Sequence, residues 1–154
     1  WKRMDLTGRL GLYVHGNELS HHIPYLFTLA GRPDRTAEVV RTICKELYGI
    51  GADGLCGQDD CGQTSAWYVF SALGFYPLNP ASQEYVLGAP QIPRAVLHMP
   101  GGDLEIVAEN LSDANLYVES AALNGKPVDK KFTWYDIKDG GRLVFRMTSE
   151  RVHE

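Results

Sequence analysis

Two short polar segments in the first half of the chain carry the side chains that could do chemistry. The first is HGNELSHH and the second is GQDDCGQ, and each leads into a longer apolar segment. Loops that enter helices expose unpaired backbone N–H groups and often hold functional side chains. Carboxylates beside an apolar run are costly unless they cap a helix, bind a ligand or react. These two segments are therefore the first candidates for a site.

The first segment places an amide and a carboxylate next to each other, at Asn17 and Glu18. Oxygen donors of these two kinds are the ligands that hard cations such as calcium prefer. A purely structural alternative is that Asn17 or Ser20 caps the following helix while the histidines of the segment bond to nearby backbone. The residues alone leave both interpretations open.

The histidines of the same segment raise a third possibility, which is a zinc site. His15, Glu18 and His22 could act as ligands, and so could the adjacent pair His21 and His22. The HExxH pattern is absent, however, and adjacent residues on a helix point about 100° apart, so neighbouring histidines rarely share one metal. Zinc is the least favoured of the three interpretations.

The second segment contains two consecutive aspartates, Asp59 and Asp60, between Gly57 and Gly62. One aspartate is enough to cap the helix that follows and to complement its dipole, so the second exceeds the structural need. A carboxylate here could activate a water molecule or bind sugar hydroxyls. In glycoside hydrolysis the two catalytic carboxyl groups flank the scissile bond, so adjacent aspartates can supply at most the base.

Three segments of the first half are predicted to be helices that position these loops. In SHHIPYLFTLAG, Ser20 is the predicted N-cap and Gly31 the stop. RPDRTAEVVRTICKELYGIG carries an apolar stripe that includes Val40 and Cys44. CGQTSAWYVFSALG is apolar almost all round and ends at Gly74, which predicts a helix that is buried on most sides.

From about Pro80 onward the apolar period changes from that of a helix to that of a strand. Short β-branched or aromatic runs alternate with turn residues, and they are EYVLGAP, RAVLHMP, DLEIVAEN, NLYVESAAL, KFTWYDI and RLVFRMT. Asn124 and Gly125 between two such runs predict a tight hairpin. The predicted fold class is α+β, with helices in residues 1–79 followed by an antiparallel sheet or sandwich in residues 80–154.

The bulk composition argues against several classes of protein. The 154 residues carry a formal net charge of −4 and no Lys/Arg run that could track phosphates, so no nucleic-acid partner is expected. No apolar stretch reaches about 18 residues, so no membrane insertion is expected. An odd number of cysteines, three, does not indicate a disulfide framework. Cys56 and Cys61 could bridge in an oxidising compartment, but the unbridged form is favoured. Because the chain begins at Trp1, we interpret it as a piece of a longer polypeptide.

The two polar segments and their surroundings resemble the C-terminal part of glycoside hydrolase family 92. The resemblance rests on YVHGNELSHHIPYLFTLAGRPDRT, DGLCGQDDCGQTSAWYVFSALGFYPLNP and YVLGAP, in this order, and it extends from about Leu12 to about Met147. These motifs are long and specific, so chance is a poor explanation for them. This resemblance, rather than composition or periodicity, indicates the function.

The resemblance implies an exo-acting α-mannosidase of bacterial type, often α-1,2-specific, that inverts the anomeric configuration and depends on calcium. It implies a mannose-containing glycan as substrate and a secreted or periplasmic location. The helices would be the last part of an (α/α)6 barrel and the strands a C-terminal β-layer, both packed on the upstream part of the same polypeptide. The family's general acid is a glutamate well upstream, so this chain is expected to be inactive alone.

The resemblance also implies roles for individual residues. Asp60, directly before CGQ, matches the general base, and Asp59 could assist it. Asn17 and Glu18, in GNE, match the region that holds calcium. Three further residues are expected to contact the substrate or the attacking water: His21, His22 and Gln58.

Three positions depart from the family pattern. Gln58 replaces a second acidic residue that often stands two positions before the base. A glutamine can orient the attacking water but cannot take its proton. Leu19 stands where many members have proline, and Thr64 stands where many have methionine. We expect the last two changes to be tolerated.

Two other functions remain open at this point. The β half could be a carbohydrate-binding or interaction module in which Tyr117, Trp134 and Tyr135 stack on sugar faces. Aromatic residues on strands more often fill a core or an interface, however. A zinc hydrolase built on the histidine segment is the less favoured alternative.

Overall fold

The computed structural model describes residues 7–152 and has the predicted mixed α+β class. Within this part of the chain the helices are α1 Ile23–Leu29, α2 Pro33–Glu46, α3 Gln63–Leu73 and α4 Trp134–Ile137. The strands are β1 Arg9–Leu10, β2 Tyr13–Val14, β3 Phe75–Asn79, β4 Glu84–Leu87, β5 Arg94–Met99, β6 Gly102–Glu109, β7 Tyr117–Leu123, β8 Lys126–Val128, β9 Lys131–Thr133 and β10 Gly141–Thr148. The three longer helices all precede β3, as the change of period predicts.

Helix α1 begins later than the sequence predicts. The predicted N-cap Ser20 is wrong, because Glu18–Ser20 form a separate 3₁₀ turn. Asn17 caps this turn by accepting a hydrogen bond from the Leu19 amide at 3.2 Å. A helix starting at Ser20 would need an N–H at Pro24 to bond to the Ser20 carbonyl, and proline has none. The chain therefore restarts as an α-helix beyond the turn.

Helices α2 and α3 bury the faces that connect them to the rest of the chain. The apolar stripe of α2 is confirmed, with Val40 and Cys44 in the core. Gly74 ends α3 in the left-handed conformation, with a φ of 94° that suits glycine. Within the described residues α3 leaves one face open, since Tyr68 and Val69 are 39% and 54% exposed, so burial of this helix on most sides stays a prediction. The other described elements cover only one side of this helix.

The larger sheet has five strands in the order β5-β6-β10-β7-β8, and a smaller sheet has the order β3-β4-β9. The expectation of a purely antiparallel sheet is wrong at one pair, because β6 and β10 run parallel. Strands β6 and β7 run in opposite directions and β10 is inserted between them, so β10 must be parallel to one of the two. Alternate residues of β6 and β10 form the buried face of the sheet, namely Leu104, Ile106, Leu143 and Phe145.

Local turn chemistry explains one confirmed prediction and one error in the β half. Asn124 and Gly125 join β7 to β8 and have φ angles of 51° and 77°, as a type I′ hairpin requires. The predicted strand KFTWYDI is wrong in its second half, since β9 ends at Thr133 and helix α4 follows. Thr133 and Asp136 form a reciprocal capping box, which starts a helical turn in spite of the β-prone residues between them.

Two hydrophobic clusters hold the chain together, one beneath the larger sheet and one among the helices. Phe70 of α3 packs against both clusters. The β3–β4 hairpin is also shared, because Phe75 belongs to the sheet cluster and Tyr76 to the helical one. The division that we proposed between residues 79 and 80 therefore falls inside a hairpin that links the two parts.

Three further predictions concern the cysteines, membrane insertion and the helical barrel. Among residues 7–152, Cys44, Cys56 and Cys61 form no disulfide with one another, as predicted, and Cys44 is buried. Among residues 7–152, no helix combines the length and the hydrophobicity needed to cross a bilayer. Membership of α1, α2 and α3 in an (α/α)6 barrel stays a prediction.

Candidate active site

The two polar segments of the sequence form two loops that meet at a pair of glycines. We call residues 15–22 the glutamate loop and residues 57–62 the aspartate loop. A Cβ atom added to Gly57 would lie 2.7 Å from the Cα atom of Gly16 and 2.8 Å from its carbonyl oxygen. Such distances leave no room for a side chain, so glycine lets the two backbones touch. This contact brings residues far apart in sequence into one site.

The meeting of the loops brings the carboxyl groups of Glu18 and Asp60 close enough for Glu18 to act on the protonation of Asp60. Desolvation and the nearby charge of Glu18 raise the pKa of Asp60 above its ordinary value. Two carboxylates held side by side repel each other unless a proton or a cation lies between them. The pair is therefore the electrostatic centre of the candidate site.

Asp59 bonds to the first turn of helix α3 from outside the N-cap position, which Gly62 occupies. Its Oδ1 atom accepts hydrogen bonds from the Ser65 amide at 2.9 Å and from the Ser65 hydroxyl at 2.8 Å. Its backbone carbonyl accepts hydrogen bonds from the amides of Gly62 and Thr64, both at 3.1 Å. The structural role that one of the two aspartates was expected to fill thus belongs to Asp59, and the Asp60 carboxyl lies outside the cap.

Three consecutive residues of the aspartate loop adopt the left-handed backbone conformation. The φ angles are 49° at Asp60, 58° at Cys61 and 91° at Gly62. Glycine adopts such angles freely and aspartate tolerates them, but a cysteine in this region is uncommon. Strained conformations of this kind persist only where the surroundings impose them, and they cluster at functional sites. Here the Asp59 carbonyl, directly before the strained segment, accepts a hydrogen bond from the amide of Gly62, the last residue of that segment.

A buried pair of histidines lies behind the two loops. His15 and His21 are 0% and 1% exposed. The Nδ1 atom of His15 lies 2.7 Å from the Tyr13 hydroxyl, and its Nε2 atom lies 2.6 Å from the Tyr48 hydroxyl. Burial lowers the pKa of His15 to about 3 and also lowers the pKa of His21. Both rings are therefore neutral at pH 7.

His21 connects the glutamate loop to helix α3. Its Nε2 atom donates to the carbonyl of His15 at 3.0 Å, and its Nδ1 atom accepts from the side-chain amide of Gln63 at 3.3 Å. Its own carbonyl accepts a hydrogen bond from the indole N–H of Trp67 at 2.9 Å. Because both ring nitrogens are engaged and the side chain is buried, the structure gives His21 a holding role. Direct contact between His21 and a sugar stays a prediction.

The remaining predicted site residues lie at the surface of the two loops. Glu18, His22 and Gln58 are exposed, and Asn17 is partly buried. The amide oxygen of Asn17 already accepts the hydrogen bond that caps the 3₁₀ turn. Side chains from both loops are thus accessible to a ligand on the side where Glu18 and Asp60 meet.

The donor atoms of the site suit a hard cation better than zinc. Across residues 7–152, no group of three or more His, Cys, Asp or Glu side chains is arranged to hold a metal. Tyrosine hydroxyls engage both nitrogens of His15, so the structure removes His15 from the zinc ligand set considered above. The carboxylates of Glu18 and Asp60 provide the oxygen-rich, negative environment that calcium prefers. Calcium takes about six to eight oxygens, so a calcium ion at this position would need further ligands from substrate, water or other parts of the polypeptide.

The aromatic residues considered for a sugar-binding module do not share one exposed face. Tyr117 is 8% exposed and donates a hydrogen bond to Glu38 of α2. Trp134 packs against the sheet cluster, whereas Tyr135 is 68% exposed. The alternative that these aromatics fill a core holds for Tyr117, whereas Trp134 begins helix α4 and is partly buried against the sheet cluster.

Several residues that hold the two loops in place were not predicted from the sequence. One of them is Gly16, which lies against Gly57. A glycine directly before two candidate site residues can indicate that another backbone approaches closely there. Tyr48 and Thr64 bond to the loops through atoms that come together only when the chain folds. No pattern in the sequence marks Tyr48, and Thr64 is visible there only as a departure from the family pattern.

Replacing Asp59 should destabilise the protein by removing its hydrogen bonds to the first turn of helix α3. We expect Asp59→Ala to lower the free energy of unfolding by about 1 kcal/mol, because both hydrogen bonds to Ser65 are lost. Urea denaturation followed by circular dichroism measures the change. Asp59→Asn keeps an oxygen acceptor and is the matched control, with a smaller loss. Equal losses in the two variants would contradict the capping role.

Removing one charge of the carboxylate pair should stabilise the protein. A raised pKa means that the folded state holds the proton of Asp60 more tightly than the unfolded state, so ionisation of Asp60 opposes folding at neutral pH. In the presence of a chelator, Asp60→Asn should therefore increase the free energy of unfolding at pH 7. The gain should disappear as the pH falls below about 4, where the carboxyl is protonated in both states.

Glu18→Gln supplies the control for this electrostatic prediction. It removes the other charge of the same pair and should stabilise in the same direction. The double variant should gain less than the sum of the single gains, because one repulsion is removed in every case. Additive effects, or a loss of stability in Asp60→Asn at pH 7, would show that the two carboxylates do not interact.

Comparison with known proteins gives consistent matches over nearly the whole chain. Residues 2–149 match the family model described as Glycosyl hydrolase family 92 catalytic domain. A solved family GH92 α-mannosidase of Bacteroides thetaiotaomicron, in complex with mannoimidazole, has a TM-score of 0.89 and 42% identity, covering 95% of this chain and 20% of that one. A family GH92 inverting mannosidase of Bacteroides thetaiotaomicron VPI-5482 has a TM-score of 0.82 and 39% identity, covering 91% of this chain and 19% of that one.

A curated relative agrees with these matches. It comes from Arthroderma benhamiae, is described as an uncharacterized secreted glycosidase, and is 28% identical over 153 residues that cover 96% of this chain and 20% of that protein. The chain thus spans about a fifth of the length of the proteins it matches. Because the family model covers residues 2–149, the chain belongs to glycosyl hydrolase family 92.

Proposed function

We propose that the glutamate and aspartate loops form one side of the active site of a glycoside hydrolase that removes α-linked mannose from glycans. Family membership supports hydrolysis of a glycosidic bond, and two structural relatives of this chain are described as an α-mannosidase and as an inverting mannosidase. The observation that carries the assignment of roles is the pairing of the Asp60 and Glu18 carboxyl groups across the two loops. A secreted location is part of the proposal and is supported by the description of the curated relative.

In the proposed reaction Asp60 is the general base. Its carboxylate takes a proton from a water molecule while the water oxygen forms a bond to the anomeric carbon and the bond to the leaving oxygen breaks. A general acid on the opposite side gives its proton to that leaving oxygen, and attack from the far face inverts the configuration. The raised pKa of Asp60 makes its carboxylate a stronger base, which supports this role.

The neighbours of Asp60 have supporting roles in the proposal. Asp59 holds the entrance of helix α3 and with it the backbone that carries the base. Gln58 orients the attacking water through its side-chain amide. His22, which is exposed, contacts the sugar, and His21 is the buried support of the glutamate loop.

Asn17 and Glu18 are the proposed calcium ligands. Their oxygen atoms are of the type that calcium prefers, and a cation beside Glu18 would relieve its repulsion with Asp60. Bound calcium would supply a positive charge for two vicinal hydroxyls of mannose and would favour a flattened, oxocarbenium-like ring. This chain's part is to hold the two ligands at the capped 3₁₀ turn, close to the base.

The activity is proposed for the longer polypeptide and not for this chain alone. The matched proteins are about five times as long, since this chain covers 20% of them. The upstream part of the same polypeptide would supply the general acid and would cover the open face of α3. We propose an α-1,2 linkage as the first to test, on the family resemblance of the two motif blocks.

Replacement of the proposed base should abolish turnover in the full-length polypeptide. We expect Asp60→Asn to reduce kcat on an α-1,2-mannobioside by about 100-fold to 10,000-fold, because a general base contributes a factor of this size. The change keeps the shape of the side chain. Asp59→Asn, which keeps the capping oxygen, is the matched control and should lose much less. Activity of Asp60→Asn within tenfold of the parent would overturn the assignment.

Removal of calcium should stop the same reaction reversibly. Treatment with a chelator is expected to abolish mannoside hydrolysis, and added calcium should restore it while zinc should not. Glu18→Gln should raise the calcium concentration needed for half-maximal activity, because one charged ligand is lost. Turnover that persists in the chelator would contradict the calcium role while leaving the role of Asp60 open to the preceding test.

A further inference from the structure

We propose that Tyr48 is a positioning residue of this site, whose hydroxyl joins the glutamate loop to the aspartate loop. The inference rests on the proposed function, because it concerns the placement of the proposed base. Tyr48 belongs to neither loop and follows the end of helix α2. Its hydroxyl lies 2.6 Å from Nε2 of His15 and 2.9 Å from the carbonyl oxygen of Thr64. One oxygen atom therefore touches both sides of the site.

The direction of each hydrogen bond follows from the number of protons available. The Thr64 carbonyl can only accept, so it takes the single proton of the Tyr48 hydroxyl. The Tyr48 oxygen must then accept from His15, which places the proton of the neutral His15 ring on Nε2. Nδ1 of His15 is left as an acceptor and receives the proton of the Tyr13 hydroxyl. The chain of donors runs in one direction, from Tyr13 to Thr64.

The connection continues from Thr64 into the aspartate loop. Thr64 is 1% exposed, and its Oγ1 atom donates to the carbonyl of Gln58 at 2.8 Å. Gln58 directly precedes Asp59 and Asp60. A methionine at position 64, which the family resemblance leads us to expect, has no hydroxyl to donate. This chain therefore has a hydrogen bond to the base-bearing loop that depends on its own threonine.

On the other side, the connection reaches the residues that precede Glu18. The carbonyl of His15 accepts the hydrogen bond from His21, and Gly16 lies against Gly57. The Tyr48 ring stacks parallel to Trp67, with 6.0 Å between ring centroids and 3° between planes, so the ring is held independently of its hydroxyl. Removing the hydroxyl should thus loosen the junction of the loops without emptying the core.

The test compares two tyrosine-to-phenylalanine changes that each remove one hydrogen bond from His15. Tyr48→Phe cuts the connection to Thr64, whereas Tyr13→Phe leaves that connection intact. In the full-length polypeptide we expect Tyr48→Phe to lower kcat about tenfold or more with KM within about twofold, because misplacement of a catalytic group acts on the transition state. Tyr13→Phe should keep kcat within about twofold. Equal losses of kcat in the two variants, or none in Tyr48→Phe, would overturn the proposal.

A second pair of variants and a readout independent of activity complete the test. Thr64→Val removes the hydroxyl with little change of volume and should match Tyr48→Phe, whereas Thr64→Ser should keep kcat close to the parent. Hydrogen exchange of the amides in residues 58–64 should be about 2-fold to 10-fold faster in Tyr48→Phe and Thr64→Val than in their controls. If the polypeptide hydrolyses no mannoside but the exchange pattern holds, the proposed function fails and the positioning role stands. Unchanged exchange would overturn the positioning role whatever the activity.

Discussion

The approach of two carboxylates, Glu18 and Asp60, is the interaction on which the rest of the site depends. Each belongs to its own loop, and the loops can approach because their backbones touch at Gly16 and Gly57. Placing like charges together costs free energy, and the raised pKa of Asp60 reflects that cost along with its desolvation. The fold therefore holds a destabilising contact in place. Contacts of this kind are typical of sites where a ligand or a proton relieves the repulsion.

The loops are held from behind by neutral hydrogen bonds rather than by ion pairs. His15 and His21 are buried and uncharged, and tyrosine hydroxyls, an indole and a glutamine amide engage them. Neutral partners fix geometry without cancelling the charge of the carboxylates. By contrast, Glu105 on the sheet is bound by Arg94 and Arg142, which lower its pKa. The carboxylates of the site thus keep their negative charge available to a ligand, whereas the carboxylate of Glu105 on the sheet is neutralised by its arginine partners.

The sequence was informative about the site because the residues that could do chemistry lie close together in two short segments. Residue types alone identify two polar segments at helix entrances. They also indicate that one of Asp59 and Asp60 caps the helix while the other is available for chemistry, without saying which. The assignment of the cap to Asp59 needed the structure, since it depends on which carboxylate reaches Ser65. Likewise, the burial of His21 and the role of Tyr48 depend on partners from distant parts of the chain.

Residue order alone predicts the α+β class, the apolar stripe of α2 and the Asn124–Gly125 hairpin, because these depend on local periodicity and turn chemistry. It does not predict the parallel pairing of β6 with β10 or the 3₁₀ turn before α1. These features, and the meeting of Glu18 with Asp60, depend on contacts between distant parts of the chain. Pairing between distant segments leaves no period in the sequence, since it is chosen by the packing of the whole chain.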